Sequence, residues 1–281
     1  MRLSIIHIVR ALSFSLALTL FSAYSFADSP TYTFTVVPQF KPAQLQKEWT
    51  PILDRISRET GVKLKLSIPT SILKFESELG RGTPDFAFMN PYEAVVGNRE
   101  NGYIPLLRDK KPLNGIVVVR KDSPYKKLSD LNGQTIGFPS PNAFGASLYI
   151  RAKLTEENPV KFTAKYLNNH NLVFKHVVLG HVAAGGTVNA ALNDEAPEVR
   201  NQLTVLYQTP DVAPHPIGVH PRVPEQVRKS VTNALINMQQ DVEGRAMLKE
   251  IRMPNLTDAN YKADYQPLEK LNIDKYLVEE D

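Results

Sequence analysis

The chain has 281 residues, 42% of them hydrophobic and 22% charged, with a formal net charge of +4. That composition excludes collagen, low-complexity disorder and a polytopic membrane protein, and so small a charge gives no case for a nucleic-acid partner. Cysteine is absent, which removes disulfides, a cysteine nucleophile, thiolate zinc and iron–sulfur chemistry together.

Residues 1–27 open with Arg2 and Arg10, continue through an uncharged apolar run, and place Ser25 and Ala27 at −3 and −1 of a cut before Asp28. This reads as a Sec signal peptide. Its apolar core is shorter than the ~20 residues of a spanning helix. Cleavage removes two arginines and leaves a nearly neutral product. Without cysteine that product has no N-terminal lipid anchor, so a soluble protein of a Gram-negative periplasm is expected.

Strand and helix patterns then alternate. Tyr32–Val37 reads as a strand. Pro42–Thr60 carries Leu45, Trp49, Ile52, Leu53 and Ile56 at helical spacing and ends at Gly61. Residues 62–68 alternate as a half-buried strand. Ser71–Gly80 is helical, Asp85–Met89 a short strand, and Pro91 opens a helix. The apolar run Gly115–Val119 predicts a strand covered on both faces. Beyond Gly133 come a strand at 134–138, a helix at Gly145–Leu154, a strand at 174–180 and an Ala/Gly-rich helix around 184–187. A strand at 203–207 and a helix at Pro224–Asp241 follow. This alternation predicts an α/β fold with parallel-rich sheets.

Two segments have the character of crossovers: Ile116–Asp122, and 210–224 with Pro210, Pro214, Pro216, Pro221 and Pro224. The expected organisation is residues 31–117 plus 218–281 as one lobe and 118–217 as the other; a single doubly wound sheet is the alternative. No nucleophile-elbow, phosphate-loop or zinc-protease motif is present. No nucleophile has an aligned base, so no enzyme is expected. His176 and His181, five apart, share no helix or strand face, and no metal site or cofactor is implied.

In an open α/β sheet ligands gather at strand C-termini. Four loops qualify here: those containing Gln39 and Phe40, Ser71, Asn90 and Tyr92, and residues 140–147. The last sets small residues in the first turn of a helix, where exposed N–H groups suit an anion.

Across VVPQFKPAQLQKEWTPIL, DFAFMNPYEA, VVVRKDSP with the following LSDLNG, FPSPNAFGASL, His170 and TPDVAPHPIGVHPRVP, the chain resembles the periplasmic substrate-binding proteins of phosphate/phosphite/phosphonate ABC transporters. The resemblance implies a two-lobed periplasmic-binding-protein-like fold (type II), its lobes joined by two hinge crossovers and closing on a tetrahedral oxyanion. It implies an inner-membrane permease and its ATPase as partners, with a periplasmic sensor feeding a membrane histidine kinase or cyclase as the alternative, and a monomer. It assigns Asn142, Ala143, Phe144, Gly145, Ala146 and Ser147 to the oxyanion loop, His170 as a further donor, and Phe88 and Tyr92 to the pocket wall. Aminoalkylphosphonate binders carry Ser-Thr-Ser at Ala143–Gly145 and carboxylates where Asn189 or Ala190 and His215 stand. A smaller or amine-free oxyanion is therefore expected: phosphite, phosphate, methylphosphonate, or an anion outside phosphorus chemistry.

Overall fold

The computed structural model describes residues 30–278. The signal-peptide assignment of residues 1–27 lies outside them.

The first sheet begins with β1 (Thr31–Val36), α1 (Pro42–Thr60), β2 (Lys63–Ser67), α2 (Ile72–Gly80), β3 (Phe86–Phe88), α3 (Pro91–Asn101) and β4 (Ile104–Asp109). The chain then builds a second sheet from β5 (Gly115–Arg120), β6 (Thr135–Phe138), α4 (Tyr149–Glu156), β7 (Thr163–Tyr166), α5 (His170–Val178), β8 (Ala184–Val188), α6 (Asn189–Asp194), α7 (Pro197–Arg200) and β9 (Leu203–Gln208). It returns to the first through β10 (Pro216–Val219), α8 (Glu225–Asn237), α9 (Val242–Glu250) and β11 (Leu256–Asp258). Strand orders are β11-β4-β10-β3-β1-β2 and β7-β6-β8-β5-β9. Parallel pairs (β1 with β2 and β3, β6 with β7 and β8) sit beside antiparallel ones contributed by β10, β11, β5 and β9.

Each lobe therefore has its own sheet, with helices covering apolar faces. Leu45, Trp49, Ile52, Leu53 and Ile56 are all buried on one stripe of α1, and Gly61 closes it at φ 72°. Only a left-handed residue ends the helix there without strain. In β5, Val117 and Val119 enter one core and Ile116 and Val118 another, the two-faced burial its apolar run implies.

Segments 110–114 and 209–215 cross between the sheets side by side. Leu113 and Val212 exchange two backbone hydrogen bonds of 2.9 Å, and Asn114 donates to Asp211 at 2.8 Å. Gly115–Val117 pair with β8 and β9, while Pro216 and Ile217 pair with β4. The change of sheet thus precedes the division at 117 and 217 drawn from the sequence, because the ladder bonds begin there.

Two elements differ from their sequence reading. Residues 174–180, expected as a strand, belong to α5. Asn169 caps it by accepting from Leu172 N, and Val173, Phe174 and Val177 are buried at helical spacing. The Ala/Gly-rich stretch, expected as a helix, is the buried strand β8. A Cβ on Gly185 would meet Val173 at 2.5 Å, and one on Gly186 would meet Phe138 at 2.4 Å. The glycines let α5 and the Phe138 ring of β6 approach the strand closely. His176 and His181 also meet, ring centroids 5.1 Å apart, because Gly180 at φ 71° turns the chain back after α5.

Candidate functional site

The turn after β6 is the centre of the candidate site. Phe144–Leu148 winds as a single π turn that runs into α4. Ala143 O accepts from Ser147 N at 2.8 Å and Leu148 N at 3.2 Å. The N–H groups of Phe144, Gly145 and Ala146 precede any intrahelical acceptor, the position where a helix start leaves donors for a ligand. A Cβ on Gly115 would lie 2.2 Å from Gly145 O, and one on Gly186 2.6 Å from Ala146 O. The carbonyls of the turn thus face the sheet. In a trans peptide the N–H opposes the C=O, so the Ala146 and Ser147 N–H groups point away from it. Phe144, Leu148 and Tyr149 pack into the core of the first lobe, which sets the turn at the junction of the two.

Asn142, at the head of this turn, is buried, and its side chain is fully engaged. Nδ2 donates to Glu76 Oε2 at 2.8 Å and Val278 O at 2.9 Å, and Oδ1 accepts from Val278 N at 3.0 Å. Its amide ties the turn to α2 and the C-terminal segment. Ser147 Oγ accepts from Arg151 Nε at 3.2 Å.

His170 begins α5, and its Nδ1 lies 2.7 Å from Thr187 Oγ1. Burial and the nearby Arg252 guanidinium push its pKa down to about 4, so the ring is neutral at neutral pH. Across the junction, the Phe40 ring centroid is 6.4 Å from that of His170, and Arg252 lies 4.0 Å over Phe40. Arg252 also reaches Asp194 of α6 at 3.8 Å. Gln39 is half-buried in the same loop. Phe88 stacks on His215 with centroids 5.5 Å apart and leans on Trp49 at 5.0 Å. Burial pushes the His215 pKa down to about 3, leaving a neutral ring.

Ser71 and Asn90 act locally as helix caps. Ser71 Oγ accepts from Lys74 N at 3.0 Å. Asn90 Oδ1 accepts from Tyr92 N and Glu93 N at 2.9 Å, and Glu93 Oε2 accepts from Asn90 N at 2.6 Å, completing a capping box. Tyr92 bonds through its hydroxyl to Asp274. It lines a cavity of about 340 Å³ with Val95, Asn98, Arg99 and Tyr261, whose wall contains none of residues 142–147 and not His170. Arg99 there faces Asp274 and Glu100 at 3.6 and 3.7 Å, so that cavity has no uncommitted cation for an anion.

Behind Asn142 two carboxyls are held towards their neutral forms. Burial raises Glu76 to about 7, against the pull of Asn142. Burial, then the nearby Glu76, raises Glu93 well above the usual carboxylate range.

A family described as the periplasmic substrate-binding protein of phosphonate ABC transporters matches residues 34–265. The chain belongs to this family. Among curated relatives it is similar to the phosphonates-binding periplasmic protein of Escherichia coli, 24% identical over 253 residues, covering 85% of this chain and 75% of that one. Among solved structures it is similar to a protein from Prochlorococcus marinus in complex with methylphosphonate, with TM-score 0.79 and 15% identity over 88% of this chain and 99% of that one. It also resembles a binding-protein component of a phosphonate transporter from Pseudomonas aeruginosa, with TM-score 0.73 and 16% identity over 87% and 86%. The fold is thus that of the type II periplasmic binding proteins, and the family is one of transport rather than of enzymes. Among the described residues no helix is long and apolar enough to cross a membrane.

Arg151, Thr187, Arg252, Glu76 and Glu93 escaped the sequence reading. Two left a signal: Arg151 stands four residues after Ser147, and Asn90 with Glu93 spells a capping box. Arg252, in a loop at φ 64°, comes to Phe40 only through the tertiary fold.

Proposed function

We propose that this chain captures a small tetrahedral oxyanion (a phosphonate, phosphite or phosphate) between its lobes and delivers it to an inner-membrane permease driven by an ATPase. The observation that carries the reading is the 143–147 turn. Three helix-start N–H groups stand free of the ladder, at the lobe junction, with the neutral His170 and Phe40 meeting across the same junction. A single helix start contributes only about 0.3–1 kcal/mol to an exposed anion, so the lobes have to converge for useful affinity. His170 Nδ1 is engaged with Thr187 Oγ1 at 2.7 Å, and in the tautomer with its proton on Nε2 the ring adds a donor for the ligand. The lobes 31–109 with 216–278, and 115–208, close about the paired crossovers as hinges.

The ligand lacks an ammonium group. His215 is a neutral ring stacked on Phe88, and Asn189 is spent on Asn114 and Gln208, at 2.6 and 2.9 Å. Burying an ammonium without an anionic partner costs several kcal/mol. Calorimetry with methylphosphonate, phosphite, phosphate and 2-aminoethylphosphonate tests this. One of the first three binds at least about tenfold more tightly than the amine-bearing ligand. Preferred binding of 2-aminoethylphosphonate overturns the ligand assignment, and binding of none overturns the oxyanion reading.

A further inference from the structure

Arg151 is 9% exposed, yet among the described residues its partners include no carboxylate. Nε donates to Ser147 Oγ at 3.2 Å, and Nη2 donates to Pro141 O and Tyr276 O at 2.7 Å each. The guanidinium lies 5.9 Å from the Tyr166 ring centroid. Other sheltered arginines are paired: Arg55 with Asp241 at 2.6 Å and Arg108 with Asp264 at 3.0 Å. A buried cation held only by neutral oxygens is unfavourable unless a counter-charge arrives.

Its partners say where that charge belongs. Pro141 and Ser147 bracket the turn whose N–H groups stand free. Because Ser147 Oγ accepts from Arg151, its own hydrogen is left to donate, and no described group takes it. Burial also lowers the Arg151 pKa, the direction expected of a cation lacking an anion.

We propose that Arg151 is a specificity-determining positioning residue of the oxyanion turn, fixing it through Ser147 and Pro141 and selecting doubly charged over singly charged ligands. This rests on the oxyanion reading above and deepens it by naming the charge of the ligand.

The test compares methylphosphonate with methanesulfonate, a monoanion of nearly the same shape, by calorimetry at about pH 8.5, where the phosphoryl group carries its second charge. The wild type prefers methylphosphonate by at least about tenfold. Arg151→Gln loses most of that preference, and Arg151→Lys restores it with weaker binding of both anions. A purely structural role weakens both ligands together, so an unchanged ratio in a folded Arg151→Gln protein overturns the inference. Whether or not that variant folds, equal or inverted preference in the wild type overturns the inference too. Failure of the wild type to bind either anion overturns the oxyanion reading itself, and this inference with it.

Discussion

At His170, burial and the Arg252 guanidinium act in the same direction and hold the imidazole neutral well below pH 6. Its contribution to an anion is therefore a hydrogen bond rather than a charge. His170→Ala weakens oxyanion binding by about tenfold, and the ratio of mutant to wild-type Kd stays constant between about pH 6 and 8. Calorimetry at three pH values checks this; a ratio that grows toward pH 6 would identify an imidazolium instead. His215 gives the stability counterpart. Its folded pKa is near 3 against an unfolded value of about 6.5, so the folded protein refuses a proton that the unfolded chain takes. Stability is full above that unfolded value and is lost as pH falls through the window beneath it. His215→Phe keeps the stack on Phe88 and removes the titration. Its Tm relative to wild type is therefore more favourable at pH 5 than at pH 7.5, as melting curves at the two pH values will show. Equal differences would assign the acid loss elsewhere.

Between elements, the start of α3 and the middle of α2 form one buried polar unit. Asn90 caps α3, Glu93 caps it back, and Glu76 beside them takes the Asn142 amide. Asn90→Ala removes two accepted bonds and costs about 1 kcal/mol, or about 2–4 °C in Tm for a domain of this size. Glu76 has the opposite sign to the histidines. Its folded pKa is raised from 4.5 to about 7, so its stabilising contribution is complete below the unfolded value and is lost as pH rises through 7. Glu76→Gln retains an acceptor for Asn142 and abolishes that loss, so its Tm gains on wild type between pH 5 and 8. A parallel pair of Tm–pH curves would remove Glu76 as the titrating group. The elements themselves were legible where periodicity and punctuation agreed, as in α1 with its buried stripe and Gly61. They were misread where composition spoke louder than spacing. The valines of α5 suggested a strand although Asn169 and the Val173–Phe174–Val177 spacing marked a helix. The alanines of β8 suggested a helix although its glycines answer to Val173 and Phe138, contacts that exist only once α5 and β6 have packed beside the strand. The turn that we propose holds the oxyanion was marked in the sequence by Gly145 and its small neighbours. The role of Asn142 was not, because its amide is consumed by Glu76 and Val278, far away in sequence.

For the whole molecule, the described residues join the two lobes three times. Two joins are the crossovers, zipped together at Leu113 and Val212. The third is the C-terminal segment, which is rooted in the first-lobe core by Ile273 and reaches the second lobe. There Tyr276 O accepts from Arg151, Tyr276 Oη and Lys275 Nζ meet Glu156 at 3.0 and 3.4 Å, and Val278 pairs with Asn142. The bonds to Arg151 and Asn142 are made to residues that hold the 141–147 turn, so on the proposed reading the strap and a bound oxyanion stabilise the same arrangement of lobes. A ligand shifts a conformational equilibrium only by its differential affinity for the two states. Ending the chain after Asp274 keeps Ile273 in its core and the Tyr92–Asp274 contact, but removes every strap bond to the second lobe. The open form is then favoured in the absence of ligand, and the apparent affinity falls with the population of the competent state. The expected result is a Kd raised by about tenfold, carried mainly by faster dissociation, as is usual when an interface is weakened. Stopped-flow release of methylphosphonate from the truncated and full-length proteins measures it, and small-angle scattering without ligand reports the opening as a larger radius of gyration. Unchanged release and unchanged radius together would show that the crossovers alone set the balance between open and closed lobes.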